Sequence, residues 1–454
     1  MFNAALFKQQ TIGVLGLGKS GLAVAKLLAS KGFSVLISES ATVPPEKMPA
    51  LPAGISVETG GHTERLFACG CWIKSPGISP RHEVLVQAHQ RGIRVYSELE
   101  VALSFLPPQV RIFAVTGTNG KTTTTALLGK ILSQAARGTS RRVHVCGNIG
   151  SPVSLAVGQV QSGDDMVIEV SSYQLEDSTY FHPKYACVLN ITPDHLEHHG
   201  GMENYIRAKA AIFRYQTADD LLVLNGADPL CVQLAAEAPG RVAAFSTQPK
   251  HLLKTDVFFD GDEMIFSEGD ALRPPHLSGL HNVENAMAAA LMALTAGVPA
   301  TTVQQSFDTF SALEHRIEPF AVYNGVTYIN DSKATNLDST ITALKSFEGE
   351  KNIWLILGGR DKGASYEVLL PYLQKTCKHV LTIGEAMDKI ERELNGYPVV
   401  RCDTLARAVE VAMQNAVAGD KVLLSPACAS FDQFTSFEDR GRQFKQLVCA
   451  HIPV

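Results

Sequence analysis

Short apolar runs alternate along this chain with helix-length segments, the pattern of parallel α/β units. Thr11–Leu15 and Ser34–Ile37 read as strands flanking a helix from about Lys19 to Lys31, and Trp72–Ile73 and Arg94–Tyr96 continue the pattern. Pro107-Pro108 then interrupts it, since proline ends regular structure. A second series follows, with strands expected at Arg111–Val115, Met166–Val170, Ala186–Asn190 and Leu221–Asn225. Val257–Phe259 and Met264–Phe266 around Asp260-Gly261 predict a β-hairpin, and an alanine-rich helix is expected over His281–Gly297. A third series has strands expected at Val326–Asn330, Ile353–Leu357, Val380–Ile383 and Val422–Leu424, opening near Ser311 before Leu313-Glu314-His315-Arg316. No internal repeat relates the three series.

Length agrees with this division, because 454 residues at ~150 per domain suggest about three domains. A 45% apolar and 19% charged composition is that of a folded globular chain. The net charge of −5 excludes a bulk electrostatic grip on nucleic acid or anionic lipid, though not a local basic site. Nine cysteines without a CxxC pair suggest neither a disulfide framework nor a zinc ribbon, and Cys69 and Cys71 are expected as reduced thiols. Met1 to Gln10 lacks a signal-peptide pattern, and the most apolar stretch, Ala286 to Val298, is shorter than the ~18 residues of a membrane helix. A cytoplasmic protein without membrane insertion is expected.

Two glycine-rich loops carry the chemistry. Gly16-Leu17-Gly18-Lys19-Ser20-Gly21 lies between an expected strand and helix, where backbone N–H groups favour a diphosphate. Glu39, ending the next strand, stands where a ribose-binding acid would sit. This loop alone leaves three readings open: a nicotinamide dinucleotide site, a tight turn packing helix on sheet, or a site for another nucleotide diphosphate. Thr116-Gly117-Thr118-Asn119-Gly120-Lys121-Thr122-Thr123 is more specific. Its N–H groups form an anion nest, Lys121 neutralises the β- and γ-phosphates of ATP, and the Thr122 hydroxyl ligates Mg²⁺. Its GxxGKT spacing is two residues shorter than the usual loop. Glu169, an acid in an apolar strand, is the expected partner carboxylate, since an unpaired buried glutamate is costly. In Asp194-His195-Leu196-Glu197-His198-His199 the order is not that of a zinc protease. His195 is expected to face the metal, and His198 and His199 are read as solvated loop residues.

With Gly117–Thr122, Cys146–Gly150, Glu169–Glu176, Asn190–His195, Tyr205–Lys209, Gly279–Asn282 with Asn285, Glu314–Arg316, Asn330–Asn336 and Leu424–Ser430, the sequence resembles the Mur ligase family over essentially its whole length. The Asn330–Asn336 and Ser425–Phe434 texts resemble the branch of the family that adds D-glutamate. That resemblance implies ATP-dependent amide formation between UDP-N-acetylmuramoyl-L-alanine and D-glutamate by a monomeric enzyme. It turns Gly16, Leu17, Gly18 and Lys19, with Ser38, Glu39, Ser75, Pro76 and Gly77, into an expected UDP-substrate site, although Ser38-Glu39 departs from the acid–threonine pair of the family. Asn148 and His195 join this site. Asn282, Arg316, Asp331 and Lys333 map to ATP contacts, and Thr335, Lys362, Ser430, Phe431 and Phe437 to the D-glutamate pocket. A second Mg²⁺ is implied at His195 and Lys209, the latter as a CO₂-derived carbamate. Lys121, Glu169, His195 and Lys209 are thus the expected catalytic set.

The expected fold is α/β in three domains: residues 1–107 Rossmann-like, 108–311 P-loop ATPase-like with a small β excursion, and 312–454 Rossmann-like. Three rival activities remain at this stage: another ATP-dependent amide ligase such as a folylpolyglutamate synthase, a dehydrogenase, and a non-enzymatic ATP switch. Residues 1–105 weigh against the first and the ATP loop against the second. The third has no use for an amino-acid pocket.

Overall fold

The computed structural model describes residues 2–248, 252–277, 279–311, 314–347, 349 and 351–452. Leu313, part of the text expected to open the third series, lies outside them. The chain is α/β throughout, built on three sheets. The first is parallel, in the order β3-β2-β1-β4-β5, from β1 (Ile12–Leu15), β2 (Val35–Glu39), β3 (Ile55–Thr59), β4 (Cys71–Lys74) and β5 (Arg94–Ser97).

The second sheet comprises β6 (Arg111–Thr116), β7 (Val143–Gly147), β8 (Asp165–Glu169), β9 (Tyr185–Val188), β10 (Leu221–Asn225), β11 (Arg241–Ser246), β12 (Val257–Phe259), β13 (Met264–Phe266) and β14 (Ala271–Leu272). Its order is β14-β13-β12-β11-β10-β9-β6-β8-β7, and β12 to β14 form the antiparallel excursion. The third contains β15 (Glu318–Tyr323), β16 (Val326–Asn330), β17 (Ile353–Gly358), β18 (Cys377–Ile383), β19 (Val399–Asp403) and β20 (Lys421–Leu424), ordered β15-β16-β20-β17-β18-β19. Only β15 runs antiparallel there.

The expected hairpin lies on β12 and β13, and the alanine-rich helix runs from Leu280 to Thr295 with Ala286, Ala288, Ala289, Ala290 and Ala293 buried. Strands absent from the sequence reading are mostly edges: β3, β7, β14, β15 and β19. An edge strand is half solvated and shows no continuous apolar run; β3 exposes Ser56 between two half-buried apolar residues. β11 was missed too, although it is interior, because its run opens on the exposed Arg241.

Two compact units emerge, residues 1–275 with 282–309, and residues 276–281 with 310–454. In the first, the sheet before Pro107-Pro108 has apolar clusters of its own, and one further cluster spans the break. Leu27, Leu99 and Ala102 share one apolar cluster with Cys146, Val153 and Val157. In the second, β17 alternates: Leu355 and Leu357 enter one core layer with Leu373 and Val380, while Trp354 and Ile356 enter the other with Leu381 and Phe444. All nine cysteines are free, and burial pushes the Cys71 thiol up to about 12. No helix among the described residues is long and apolar enough to cross a membrane.

The first glycine loop shows why helix and sheet need small residues there. A Cβ on Gly21 would lie 2.1 Å from the Gly16 carbonyl oxygen, whereas one on Gly18 would meet nothing within 4 Å. Gly21→Ala is therefore expected to destabilise the chain by about 1–3 kcal/mol through overpacking. Gly18→Ala, at a helix N-cap, should cost less than about 1 kcal/mol. Urea denaturation of the two variants checks the contrast, and equal losses would contradict it.

Candidate active site

Within each sheet, many of the expected site residues follow the carboxyl ends of parallel strands, where α/β folds bind ligands, while Lys209, Asn282 and Phe437 lie on helices and Arg316 precedes β15. The ATP-type loop leaves β6 with Gly117 at φ 152° and Gly120 at φ 85°, conformations open to glycine. A Cβ on Gly120 would approach Asn285 Oδ1 to 2.2 Å, so the turn is also closed sterically. Asn190, after β9, clamps the loop. Its Oδ1 accepts from the Asn119 N–H at 2.8 Å, its Nδ2 donates to the Asn119 carbonyl at 3.2 Å, and its carbonyl accepts from the Thr118 N–H at 2.9 Å. Thr118 Oγ1 lies 3.0 Å from the Tyr205 hydroxyl and donates to the Thr192 carbonyl at 3.1 Å. Thr124 Oγ1 donates to Asn285 Oδ1, and Asn285 Nδ2 donates to Asn282 Oδ1 at 3.2 Å. Thr122 and Thr123 are buried in the first turn of the Lys121–Ala135 helix.

Lys121 Nζ donates to the carbonyls of Gly117 and Thr118 at 2.9 and 2.7 Å. Lys209 is buried on the Met202–Ala210 helix, and its Nζ donates to that same Gly117 carbonyl at 2.8 Å. Burial first, and then the neighbouring Lys121 charge, push the Lys209 amine well below the ordinary lysine range. Glu169, ending β8, is 1% exposed. Its Oε1 accepts from Asn148 Nδ2 at 2.8 Å, while Oε2 has no hydrogen-bond partner among the described residues. A buried carboxylate oxygen left unpaired is expensive. Together with the Thr122 hydroxyl position and the nest, it fits a divalent cation and a triphosphate. His195 takes a left-handed φ of 54° after β9, with Nε2 3.4 Å from Asp194 Oδ2 and its ring 4.9 Å from that of Tyr173.

His198 and His199 are not solvated loop residues as expected. The His198 side chain is 12% exposed and that of His199 fully buried, with Nε2 and Nδ1 at 2.9 and 3.1 Å from the two oxygens of Glu176. The sequence missed this because the partner acid lies in a different helix, Ser172–Glu176.

At the first sheet, Glu39 holds the glycine loop: Oε2 accepts from the Leu17 N–H at 2.8 Å and Oε1 from the Ala41 N–H at 3.1 Å. Ser38 is fully buried, its Oγ donating to Glu58 Oε1 at 2.6 Å and lying 2.7 Å from His62 Nδ1. Ser75 Oγ, beside Gly16 and Gly21, is buried, and Pro76 and Gly77 complete that turn. Lys19 Nζ donates to the Gly150 carbonyl at 2.6 Å, which ties this loop to the Asn148 segment. Also missed was Lys74, fully buried and paired with Asp177 at 2.5 Å.

In the second unit, Asp331, Lys333 and Thr335 follow β16, Lys362 follows β17, and Ser430 and Phe431 follow β20, on neighbouring strands, while Phe437 opens the Phe437–Cys449 helix and Arg316 precedes β15. Asp331 is buried, and desolvation lifts its carboxyl to about 7 despite hydrogen bonds from Ser425 Oγ and the Ile317 N–H at 2.7 and 3.2 Å. Lys333 Nζ sits 5.6 Å from the Phe437 ring centroid. Arg316 and Thr335 are half-buried, Ser430 is buried, and Lys362 and Phe431 are exposed.

Family models match the chain in three parts: a Mur ligase MurD-like N-terminal domain over residues 10–97, a Mur ligase middle domain over 115–293, and a Mur ligase glutamate ligase domain over 315–428. The chain is 51% identical to the UDP-N-acetylmuramoylalanine–D-glutamate ligase of Elusimicrobium minutum, covering 98% of this chain and 99% of that one. It is 45% identical to the enzyme of that name from Koribacter versatilis, over 96% of each. Among solved structures, the UDP-N-acetylmuramate-alanine ligase MurC of Thermotoga maritima shares its fold, with a TM-score of 0.63 at 20% identity and coverage of 98% and 100%.

Lys209 yields a test of the site's electrostatics. Its amine is hard to charge when folded and ordinary (~10.4) when unfolded, so the unfolded chain binds more protons between the two values. Stability therefore rises with pH across that window. In CO₂-free buffer, Lys209→Met is expected to gain about 1–3 kcal/mol at neutral pH, and the gain should shrink towards pH ~10 as the unfolded lysine also loses its charge. Denaturation curves across that range check this, and a gain independent of pH would refute it.

Proposed function

This chain belongs to the Mur ligase family, and from that premise we propose that it joins D-glutamate to UDP-N-acetylmuramoyl-L-alanine at the expense of ATP, making a peptidoglycan precursor. The observation that carries this reading is the near-complete alignment, at 51% identity, with a ligase bearing that name. The enzyme acts as a cytoplasmic monomer. Residues 1–107 hold the UDP-substrate, 108–311 hold ATP and metal, and 312–454 bind the amino acid.

A carboxylate does not condense with an amine at neutral pH, since oxide is a hopeless leaving group and ammonium is not a nucleophile. The L-alanine carboxylate of the UDP-substrate attacks the γ-phosphorus of ATP. An O–P bond forms, the bond to ADP breaks, and an acyl phosphate results. The free amine of D-glutamate then attacks the acyl carbon, and phosphate leaves the tetrahedral intermediate as the nitrogen loses its proton. Two anions must meet in the first step, so positive charge has to be placed between them.

Gly117, Thr118, Asn119, Gly120 and Thr123 present the anion nest to the triphosphate, and Lys121 leaves the loop carbonyls to neutralise it. Asn282, and in the second unit Arg316, Asp331 and Lys333, are the residues assigned further contacts to ATP. Thr122 with Glu169, and His195 with the carbamate of Lys209, are the residues to hold two Mg²⁺ ions, which supply charge and orientation when bound. A carbamate needs a neutral amine to react with CO₂, and the depressed Lys209 amine meets that requirement. Gly16 to Lys19, Ser75 to Gly77 and Asn148 hold the UDP-substrate, with Ser38 and Glu39 shaping its loop from behind. Thr335, Lys362, Ser430, Phe431 and Phe437 take the D-glutamate, where Lys362 offers a charge to a carboxylate.

Phosphate release from ATP is expected only when UDP-N-acetylmuramoyl-L-alanine and D-glutamate are both supplied. Equal release with L-glutamate or L-lysine would sink the assignment. Lys209→Ala should lower kcat by about a hundredfold or more and regain part of it with a short carboxylic acid. Full activity without the acid would remove the carbamate from the proposal.

A further inference from the structure

Among the described residues two clusters bring three potential metal ligands together. One, Glu314 with His315 and Glu318, already has its cation: Lys445 Nζ lies 3.1 Å from Glu314 Oε1 and 2.7 Å from Glu318 Oε1. The other is Glu176 with His198 and His199, and no lysine or arginine among the described residues pairs with that carboxylate. We propose that Glu176, His198 and His199 form a site for one borderline-soft divalent cation of the zinc class, separate from the Mg²⁺ positions at the ATP loop.

The geometry is close to what such an ion needs. One ligand atom from each residue lies within 4.8 Å of the other two, and the His198 and His199 nitrogens stand 2.9 and 3.1 Å from different oxygens of Glu176. Tetrahedral zinc with bonds of about 2.0–2.2 Å sets neighbouring ligands roughly 3.3–3.6 Å apart, so no ligand separation has to change by more than about 1.5 Å to surround one ion. His199 is also supported from behind, because its Nε2 lies 3.0 Å from Ser172 Oγ. With the proton on Nε2 and donated to that hydroxyl, Nδ1 turns a lone pair towards Glu176, the arrangement usual for a ligating histidine. Tyr173 walls the cluster, its ring 4.3 Å from that of His198. A cavity of about 360 Å³ opens beside the three residues and has room for the water that completes four-coordination.

Charge selects the class of metal. Arg81, Arg207 and Arg214 line the same cavity and oppose a cation held by charge alone. Mg²⁺ keeps its waters and gains little from imidazole, whereas zinc and its neighbours bond strongly to two imidazoles and a carboxylate.

The test uses the metal-stripped full chain in excess Mg²⁺, titrated with Co²⁺ and followed by the visible d–d absorption of low-symmetry cobalt. One equivalent should generate the band, and one equivalent of Zn²⁺ should remove it. His198→Gln and Glu176→Gln are each expected to weaken binding by about tenfold or more, and Ser172→Ala by about tenfold. His195→Ala and Glu318→Gln should leave it unchanged. No saturable equivalent, unaltered binding in His198→Gln, or loss of the band in His195→Ala would overturn the proposal. Should the variants misfold, the wild type decides. Zn²⁺ in excess Mg²⁺ should slow acylation of His198 by diethyl pyrocarbonate, read by mass spectrometry of its peptide, and an unchanged rate would overturn the site.

Discussion

Two lysine side chains converge on one carbonyl oxygen, that of Gly117, and much of the central sheet's carboxyl edge is arranged around this crowding. Like charges at such range repel, and burial removes the water that would soften the repulsion. The relief is asymmetric. Lys121 keeps a half-buried position at the mouth of the loop, while Lys209 lies 1% exposed and gives up its proton readily. Across the sheet, Glu169 has the opposite difficulty, a buried carboxylate with one oxygen unpaired. The edge is thus short of a cation at Glu169 and intolerant of a second ammonium at Lys209. A carbamate on Lys209 together with divalent ions would answer both imbalances.

Strands ending in site residues were the most readable part of the sequence. β6 from Phe113 onward, and β8 and β9 along their whole length, are buried, so their apolar runs are continuous and the polar residues that close or follow them stand out. The loop spacing at Gly117 to Thr122 was legible for the same reason, since backbone geometry demands glycine at two fixed places. Most edge strands were not legible, because a half-solvated strand and a loop have similar composition; β5, read at Arg94–Tyr96, is the exception.

Side-chain partnerships between distant segments were the other blind spot. Glu176 pairs with residues more than twenty positions away, and Asn190 shapes a loop seventy-one positions earlier. Periodicity says nothing about such contacts. The error over His198 and His199 arose here: two histidines after a short acidic text look hydrophilic, yet Tyr173 and Glu176 draw them inward. The Pro107-Pro108 break shows a related limit. Proline marks where regular structure stops, and the first sheet keeps its own apolar clusters before it, but that Leu99 also shares a cluster with Val153 across the break is invisible to periodicity.

The glycine loop at Gly16 is the feature most open to a dinucleotide reading, and its surroundings give its acid and its lysine further tasks. A ribose-binding acid in such folds accepts from a ribose hydroxyl. Here Glu39 has each oxygen engaged by a backbone N–H, one of them that of Leu17 inside the loop. The acid therefore braces the turn. Lys19, moreover, reaches out of the loop to the Gly150 carbonyl, two residues beyond Asn148, whose amide steadies Glu169. A self-contained cofactor module has no use for that link. A ligand whose diphosphate sits at the glycine loop, and whose other end must reach the metal carboxylate, does.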